Sequence, residues 1–147
     1  MTQIRHQTTF EAAHRQLGDS GKCGRLHGHN WVVSFILRGT PNELGYIVDF
    51  KNLDALVDTF DHAVLLKRED PLIAMLRTAN QSVVALPWNP TCENLAEFFC
   101  NQIAQMQNVE FISVLVAENG RSSAEVAREI KRDIPLDTGG GAAPGPE

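Results

Sequence analysis

The stretch from Cys23 to His29 constrains this chain more than any other part of its sequence. It reads Cys-Gly-Arg-Leu-His-Gly-His, and the β-branched and aromatic residues that follow it predict a strand as far as Arg38. His27 and His29 stand two residues apart at the start of that strand, and side chains alternate between the two faces of a strand. Both imidazoles should therefore point to the same side, where they would make a good pair of zinc ligands.

A zinc site needs further ligands, and the upstream segment supplies one. Residues 4 to 14 alternate as a strand does, so pairing of the two strands would bring His14 to the other histidines. Cys23 has two interpretations, either the fourth ligand of a closed structural site or a thiol beside an open metal position. Its neighbours Lys22 and Arg25 are cationic, and positive charge stabilises a reactive thiolate. The residues alone leave both interpretations open.

Length and charge limit the class of protein. A chain of 147 residues suits a single domain. Its 18 acidic against 13 basic residues give a net charge of -5, which argues against a nucleic-acid partner. We see neither a secretory leader nor an apolar run long enough to span a membrane, and the three cysteines suit a reducing compartment. We therefore expect a cytoplasmic protein.

The order of the predicted elements favours an α+β domain. A first helix begins at the cap residue Asp49 and ends near Asp61-His62, a short one follows Asp70-Pro71, and a longer one follows the cap residue Thr91. Residues 82 to 86 indicate a brief extended piece. Helices on one face of an antiparallel sheet are the expected architecture.

The C-terminal third contains a strand and a tail. Residues 109 to 118 are strand-like, while residues 123 to 131 score as helical by propensity, and we leave that segment open. The domain should extend over residues 1 to 137. Residues 138 to 147 are rich in glycine and proline and should be a disordered tail.

Three further groups could carry chemistry. Asp61 beside His62 could be a solvated turn, but with Cys23 the pair would form a relay for general acid–base catalysis. Glu118 ends its strand in step with apolar residues, and a buried carboxylate there would suit a ligand edge that carries N–H and NH₂ donors. We interpret His6 as structural, and Cys92 and Cys100 as buried thiols.

Six motifs together resemble the 6-pyruvoyltetrahydropterin synthase family, and most of all its 6-carboxytetrahydropterin synthase branch, which serves queuosine-type deazapurine synthesis. The similarity spans residues 10 to 125. The motifs are Phe10-Glu11-Ala12-Ala13-His14-Arg15, Cys23 four residues before His27-Gly28-His29, Val48-Asp49-Phe50, Asp61-His62, Pro90-Thr91-Cys92-Glu93-Asn94, and Glu118.

The resemblance implies a role for each of these residues. His14, His27 and His29 would hold zinc and leave it open to the substrate. Cys23 would remove a proton as a thiolate, and His62, oriented by Asp61, would be the second proton carrier. Glu118 would anchor the pterin, and Thr91 would help to seat its ring.

The resemblance also implies a substrate, a fold and an assembly. The substrate would be 7,8-dihydroneopterin triphosphate, which loses triphosphate and then acetaldehyde. The fold would be a four-stranded antiparallel sheet with two main helices on one face, known as the tunnelling fold. Such chains would assemble into an oligomeric barrel, a homohexamer built as a dimer of trimers with sites between subunits.

The chain departs from the family pattern near the expected pterin pocket. After the Asp-His pair the family usually has a leucine and an asparagine, whereas here Leu65-Leu66 leads into Lys67. The segment from Arg68 to Trp88 is longer than usual, and Asn119 replaces a common threonine. These departures affect substrate detail more than metal binding. A sister enzyme that only eliminates triphosphate and forms the pyruvoyl product therefore stays open, as does a non-catalytic zinc-binding or pterin-binding protein.

Overall fold

Two long strands form the centre of the fold in the computed structural model, which describes residues 1–131. They are β1 (Thr2–His14) and β2 (His27–Gly39), and they pair antiparallel along their whole length. Their register places His14 directly opposite His27 and Ala12 opposite His29. The predicted pairing of the two histidine-bearing strands is therefore present.

Four more strands complete a mixed sheet: β3 (Ala63–Lys67), β4 (Val83–Leu86), β5 (Val109–Ala117) and β6 (Ser123–Glu129). The order across the sheet is β4-β3-β1-β2-β5-β6. The pairs β1–β2, β2–β5 and β5–β6 are antiparallel, whereas β3 lies parallel to both β1 and β4. The sheet is thus antiparallel on one side of β1 and parallel on the other.

The prediction of a four-stranded antiparallel sheet accounts for only part of the observed sheet. Those four are present as β1, β2, β5 and β6, but β3 and β4 extend the sheet on the far side of β1. β3 reads Ala-Val-Leu-Leu-Lys, which has no alternation of apolar and polar residues, and it pairs with β1 only over the three residues Ala12 to His14. Contacts distant in sequence form this strand, so local pattern does not reveal it.

Three α-helices accompany the sheet: α1 (Phe50–Asp58), α2 (Leu72–Thr78) and α3 (Cys92–Ala104). Asp49 caps α1 by accepting a hydrogen bond from the Lys51 N–H, as predicted. α1 ends at Asp58, about one turn before the predicted end near Asp61-His62, because the backbone then tightens into a turn and His62 adopts a positive φ of 56°. That residue redirects the chain into β3.

The two longer helices α1 and α3 pack over one face of the sheet, which we call the core face. Its largest buried side chains include Phe10 and Trp31, whose rings stack with centroids 5.5 Å apart, and Phe99 of α3. The opposite face of the sheet, which we call the open face, carries exposed residues such as Glu11 and Asn30. Alternation along β1 and β2 thus assigns each side chain to one of two different environments.

Residues 123 to 131, left open from the sequence, contain β6. Ala124 and Val126 are partly buried against the core, while their neighbours Ser123 and Glu125 face outward. Pairing with β5 across a tight turn outweighs the helical propensity of this segment.

The long segment after Lys67 holds α2 and β4. The predicted tail, residues 138–147, lies outside the described residues. No helix among residues 1–131 is long and apolar enough to cross a membrane.

Candidate metal centre and adjoining pockets

Three histidines meet at the end of the β1–β2 ribbon, on the core face of the sheet. One nitrogen atom from each of His14, His27 and His29 lies within 4.8 Å of the others. Their ring centroids are 4.6 to 5.1 Å apart. The β1–β2 register produces this cluster, because His14 lies opposite His27 and diagonal to His29.

Hydrogen bonds fix the tautomers of two of these rings. The Nδ1 of His14 lies 2.7 Å from the Pro90 carbonyl oxygen, and the Nδ1 of His27 lies 2.6 Å from the Arg25 carbonyl oxygen. A carbonyl oxygen only accepts, so each Nδ1 must carry the proton. In the neutral imidazole each Nε2 is then left with a lone pair, which is how outer hydrogen bonds orient metal-binding histidines.

The two Nε2 atoms face each other at 3.1 Å. Two lone pairs cannot form a hydrogen bond, so this approach needs a cation between or beside them. A tetrahedral metal with bonds of about 2.0–2.1 Å holds its nitrogen ligands about 3.3–3.4 Å apart. The observed separation is close to that distance.

The third histidine offers a buried nitrogen without a partner. The Nε2 of His29 has no hydrogen bond within the described residues and is shielded from solvent. The nearest charged group is the Glu118 carboxylate, with Oε2 at 3.7 Å. A buried polar atom left unpaired costs about 1–3 kcal/mol, and a metal ion would remove that cost. The donor set therefore fits a metal such as zinc.

Burial favours the neutral forms of His14 and His29. It lowers the pKa of His14 to about 4, with smaller contributions from His27 and His29 and against the hydrogen bond to Pro90, which raises it. Burial likewise lowers the pKa of His29, although Glu118 opposes the shift. A neutral imidazole has the lone pair that a metal requires, so these shifts favour metal binding near neutral pH.

Trp31 supports the cluster, and the sequence interpretation missed it. Its ring makes edge contacts with His14 and His29, with centroids 4.8 and 5.4 Å apart, and its indole N–H donates to the Ala12 carbonyl oxygen at 3.2 Å. The signal was its parity, because Trp31 stands two residues after His29 on the same face of β2. The Pro90 carbonyl was also missed, and no local sequence pattern predicts it.

The first residues of the loop that carries Cys23 are held by two sets of contacts. Arg15 forms a two-pronged ion pair with the buried Asp70, with N–O distances of 2.6 and 2.7 Å. The Asn89 side chain exchanges two hydrogen bonds with the backbone of Leu17. These contacts tie the loop to the segments before α2 and before α3, which positions it beside the metal centre.

Three predicted site residues line one small pocket of about 240 Å³ on that side. They are Cys23, Thr91 and Glu118, and Gln16 and Glu93 also contribute. Cys23 is exposed and lies outside the cluster of three histidines. The pocket therefore has an accessible thiol and a carboxylate on its walls, close to the metal centre.

Thr91 and Cys92, at the start of α3, have structural roles in this pocket. The Thr91 hydroxyl accepts a hydrogen bond from the Asn94 N–H at 3.1 Å and so caps α3. Burial, followed by the Glu118 charge, raises the pKa of the Cys92 thiol to about 11. Cys92 is therefore a neutral thiol at physiological pH, and it is buried as predicted.

Asp61 and His62 lie elsewhere, next to Glu11 on the open face. The His62 Nδ1 is 2.9 Å from Asp61 Oδ2, and its Nε2 is 3.8 Å from Glu11 Oε2. The Glu11 N–H donates to Asp61 Oδ1 at 2.8 Å, which anchors the pair. The Asp61 hydrogen bond raises the pKa of His62. Within one chain, the pair and Cys23 thus lie on different sides of the sheet.

The fold and the cluster together define a class, an α+β protein with a cluster of three histidines that could hold a metal ion. The sequence model described as 6-pyruvoyl tetrahydropterin synthase matches residues 3–129. The chain belongs to the 6-pyruvoyl tetrahydropterin synthase family, so the predicted resemblance is confirmed.

Individual relatives agree with this assignment. A Rickettsia bellii protein named 6-carboxy-5,6,7,8-tetrahydropterin synthase is 33% identical over 111 residues, which are 70% of this chain and 80% of the relative. A Haemophilus influenzae protein of the same name is 27% identical over 138 residues, 85% of this chain and 98% of the relative. These names confirm the prediction of a lyase-type enzyme.

The fold has solved counterparts. A Plasmodium falciparum 6-pyruvoyl tetrahydropterin synthase superposes with a TM-score of 0.63 at 21% identity, covering 88% of this chain and 98% of that one. At this identity the similarity speaks for the fold alone.

Proposed function

We propose that the chain converts 7,8-dihydroneopterin triphosphate to 6-carboxy-5,6,7,8-tetrahydropterin, with release of acetaldehyde and triphosphate. The names of the relatives support the product. The observation that carries the proposal is the three-histidine cluster beside a pocket lined by Cys23 and Glu118. A pterin synthase of this kind needs a metal, a base and a ring anchor within reach of one ligand.

His14, His27 and His29 would hold the metal, which we propose to be zinc. Bound zinc would supply Lewis acidity, which makes the hydroxyl-bearing carbons of the substrate side chain easier to deprotonate. The described residues give the cluster three ligands and leave Cys23 outside it, which supports an open site rather than a closed one.

Cys23 is the proposed base. Its thiol is exposed at the pocket, and its backbone is fixed because the Cys23 carbonyl accepts the Gln16 N–H at 2.7 Å. Glu118 would orient the substrate through the N–H and NH₂ donors of the pterin ring, and Thr91 would help to seat the ring. Both side chains line the pocket that also contains Cys23, and the charge of Glu118 would strengthen its hydrogen bonds to the ring.

His62 would be the second proton carrier, supplied by a neighbouring chain. Its side chain is 76% exposed, and its partners in the same chain are Asp61 and Glu11 on the open face. His62 and His29 line a pocket of about 570 Å³ on the open face, and Cys23 is not among the residues of that pocket. An exposed, oriented histidine in a different pocket from Cys23 fits a site between subunits. The proposed assembly is the homohexamer, a dimer of trimers, with each site completed across an interface. We likewise propose, from the sequence, that the enzyme is located in the cytoplasm and that its product is used in deazapurine synthesis.

A second product is supported by the family model, whose description is 6-pyruvoyl tetrahydropterin synthase. An enzyme of that type would release triphosphate without acetaldehyde. A third reading, a non-catalytic zinc-binding protein closed by Cys23, predicts neither product. The same substrate therefore distinguishes all three functions.

The test combines the product assay with one substitution. Purified zinc-loaded protein is given dihydroneopterin triphosphate, and triphosphate, acetaldehyde and pterin products are followed. We expect Cys23→Ala to keep its zinc and its fold and to lose turnover by about 10²–10⁴-fold, as when a general base is removed. Loss of zinc together with unfolding in Cys23→Ala would show a closed structural site instead and would refute the mechanism.

A further inference from the structure

A second pocket, of about 750 Å³, lies on the open face at the end of β2 and β5. It touches the metal centre through His29 and the ring anchor through Glu118. The other polar side chains of its wall can all donate hydrogen bonds, and they are Gln7, Asn30, Ser34, Asn119, Arg121, Ser122 and Ser123. Apart from Glu118 at its border, no carboxylate lines it.

The turn between β5 and β6 separates the two pockets. Glu118, Ser122 and Ser123 line both of them, whereas Arg121 lines only the larger one on the open face. A ligand whose ring lies beside Glu118 in the small pocket can therefore extend past His29 into the large one. The turn thus lies between a small pocket that fits a ring and a large pocket that fits a polar tail.

Asn119 holds this turn in shape. Its Oδ1 accepts hydrogen bonds from the Arg121 N–H at 2.8 Å and the Ser122 N–H at 2.9 Å, and the Glu118 N–H donates to the Ser122 carbonyl. The side chain of Asn119 thus fixes the backbone that carries both Glu118 and Arg121. An ordered backbone lowers the entropic cost of binding with these side chains.

Arg121 has no ion pair among the described residues, in contrast to two other arginines of the fold. Arg15 is paired with Asp70 and Arg128 with Glu97. Among the described residues, the Arg121 guanidinium is therefore not engaged by a carboxylate, and it lies on the wall of a donor-lined pocket. A guanidinium surrounded by hydroxyl and amide donors matches a phosphate ester better than any neutral or cationic group.

We propose that this pocket binds the triphosphate of the substrate and that Arg121 is the residue that selects for it. The inference rests on the proposed function for the identity of the ligand. In this arrangement the two halves of the substrate bind on either side of the β5–β6 turn, with the ring beside Glu118 and the triphosphate beside Arg121. Inorganic triphosphate, a product of the proposed reaction, should then bind the same pocket and inhibit the enzyme.

The experiment measures two ligands on the zinc-loaded protein. Inorganic triphosphate reports the subsite alone, and 7,8-dihydroneopterin, which lacks phosphate, reports the ring site alone. We expect Arg121→Ala to weaken binding of inorganic triphosphate by about tenfold, as expected for one charged hydrogen-bonding group, and to raise the KM for the triphosphate substrate similarly. Its affinity for dihydroneopterin should stay within about twofold of the wild type.

Matched variants distinguish a specific contact between Arg121 and triphosphate from a general effect of removing positive charge. Arg77→Ala removes the same charge from an exposed position on α2 and should bind triphosphate as the wild type does. Arg121→Lys should retain part of the affinity, since lysine keeps the charge but not the planar fork. Glu118→Gln should show the reverse profile, with weaker binding of dihydroneopterin.

Two results would overturn the proposal: unchanged triphosphate affinity in Arg121→Ala, or an equal loss for dihydroneopterin in that variant. A wild-type protein that fails to bind inorganic triphosphate would overturn it as well. If binding depends on Arg121 but the wild type does not turn over the substrate, the subsite stands and the proposed reaction fails.

Discussion

His14 and His62 carry the same side chain in two opposite environments. His14 is 1% exposed, its Nδ1 proton is held by a carbonyl, and burial lowers its pKa to about 4. The His62 side chain is 76% exposed, and its hydrogen bond to a carboxylate raises its pKa. The first environment makes a neutral ligand, and the second makes an imidazole that holds a proton at higher pH.

The comparison also shows which part of the site one chain can complete. The candidate metal centre has its three histidines, the carbonyls that fix two of their tautomers and its aromatic support within residues 1–131. The Asp61–His62 pair has an orienting backbone contact, and His62 lines a different pocket from Cys23. We infer that the metal half is intrinsic to the chain and that the proton-carrying half depends on assembly.

The largest expected effect is loss of the metal. Alanine at His27 or His29 should reduce zinc from about one ion per chain to a small fraction, because two ligands cannot hold the ion against water. Zinc content is measured by elemental analysis on purified protein. His6→Ala is the matched control, since His6 is bonded to Asp54 away from the cluster. Full occupancy in both ligand variants would mean that the metal is bound elsewhere.

The pairing of the two long strands and the clustering of their three histidines were predictable because alternation is a local property. The parity of His27, His29 and Trp31 follows from a strand that begins at His27, and the same parity places Glu118 on the core face. The tautomer of His14 was not predictable, because it depends on the Pro90 carbonyl, 76 positions away. β3 was missed for the same reason, since its pairing with β1 is decided by tertiary contacts.

The next largest effect comes from mixing two inactive variants. Cys23→Ala and His62→Ala should each be nearly inactive alone. If each site takes Cys23 from one chain and His62 from another, random reassembly of equal amounts should restore about a quarter of the sites, because each position is intact in half of the chains. Activity is measured after joint unfolding and refolding, or after coexpression.

The control for the mixing experiment is each variant treated alone, which should stay inactive. Mixtures that remain as inactive as the single variants, although they are shown to contain both chains, would place Cys23 and His62 in the same chain's site. That result would contradict the division between an intrinsic half and an assembled half.

A smaller effect is expected in the pH profile. Asp61 raises the pKa of His62, so the protonated form persists to higher pH than in a free imidazole. Asp61→Asn removes that stabilisation, and the limb of the rate profile that reports His62 should therefore move to lower pH. Zinc content should not change. A limb that stays in place, with only the rate lowered, would show that Asp61 positions the ring without tuning its protonation.

The smallest effect concerns Thr91, which links the pocket to the packing of α3. Its hydroxyl oxygen accepts the Asn94 N–H, so Thr91→Ala should lower the free energy of unfolding by about 1 kcal/mol, while Thr91→Ser should restore it. The hydroxyl proton remains available to a ligand, and we expect the KM of the alanine variant to rise by about tenfold or less. Chemical denaturation and steady-state kinetics on the two variants measure both quantities. Lower stability with an unchanged KM would make Thr91 a helix cap and nothing more, and the ring would then depend on Glu118 alone.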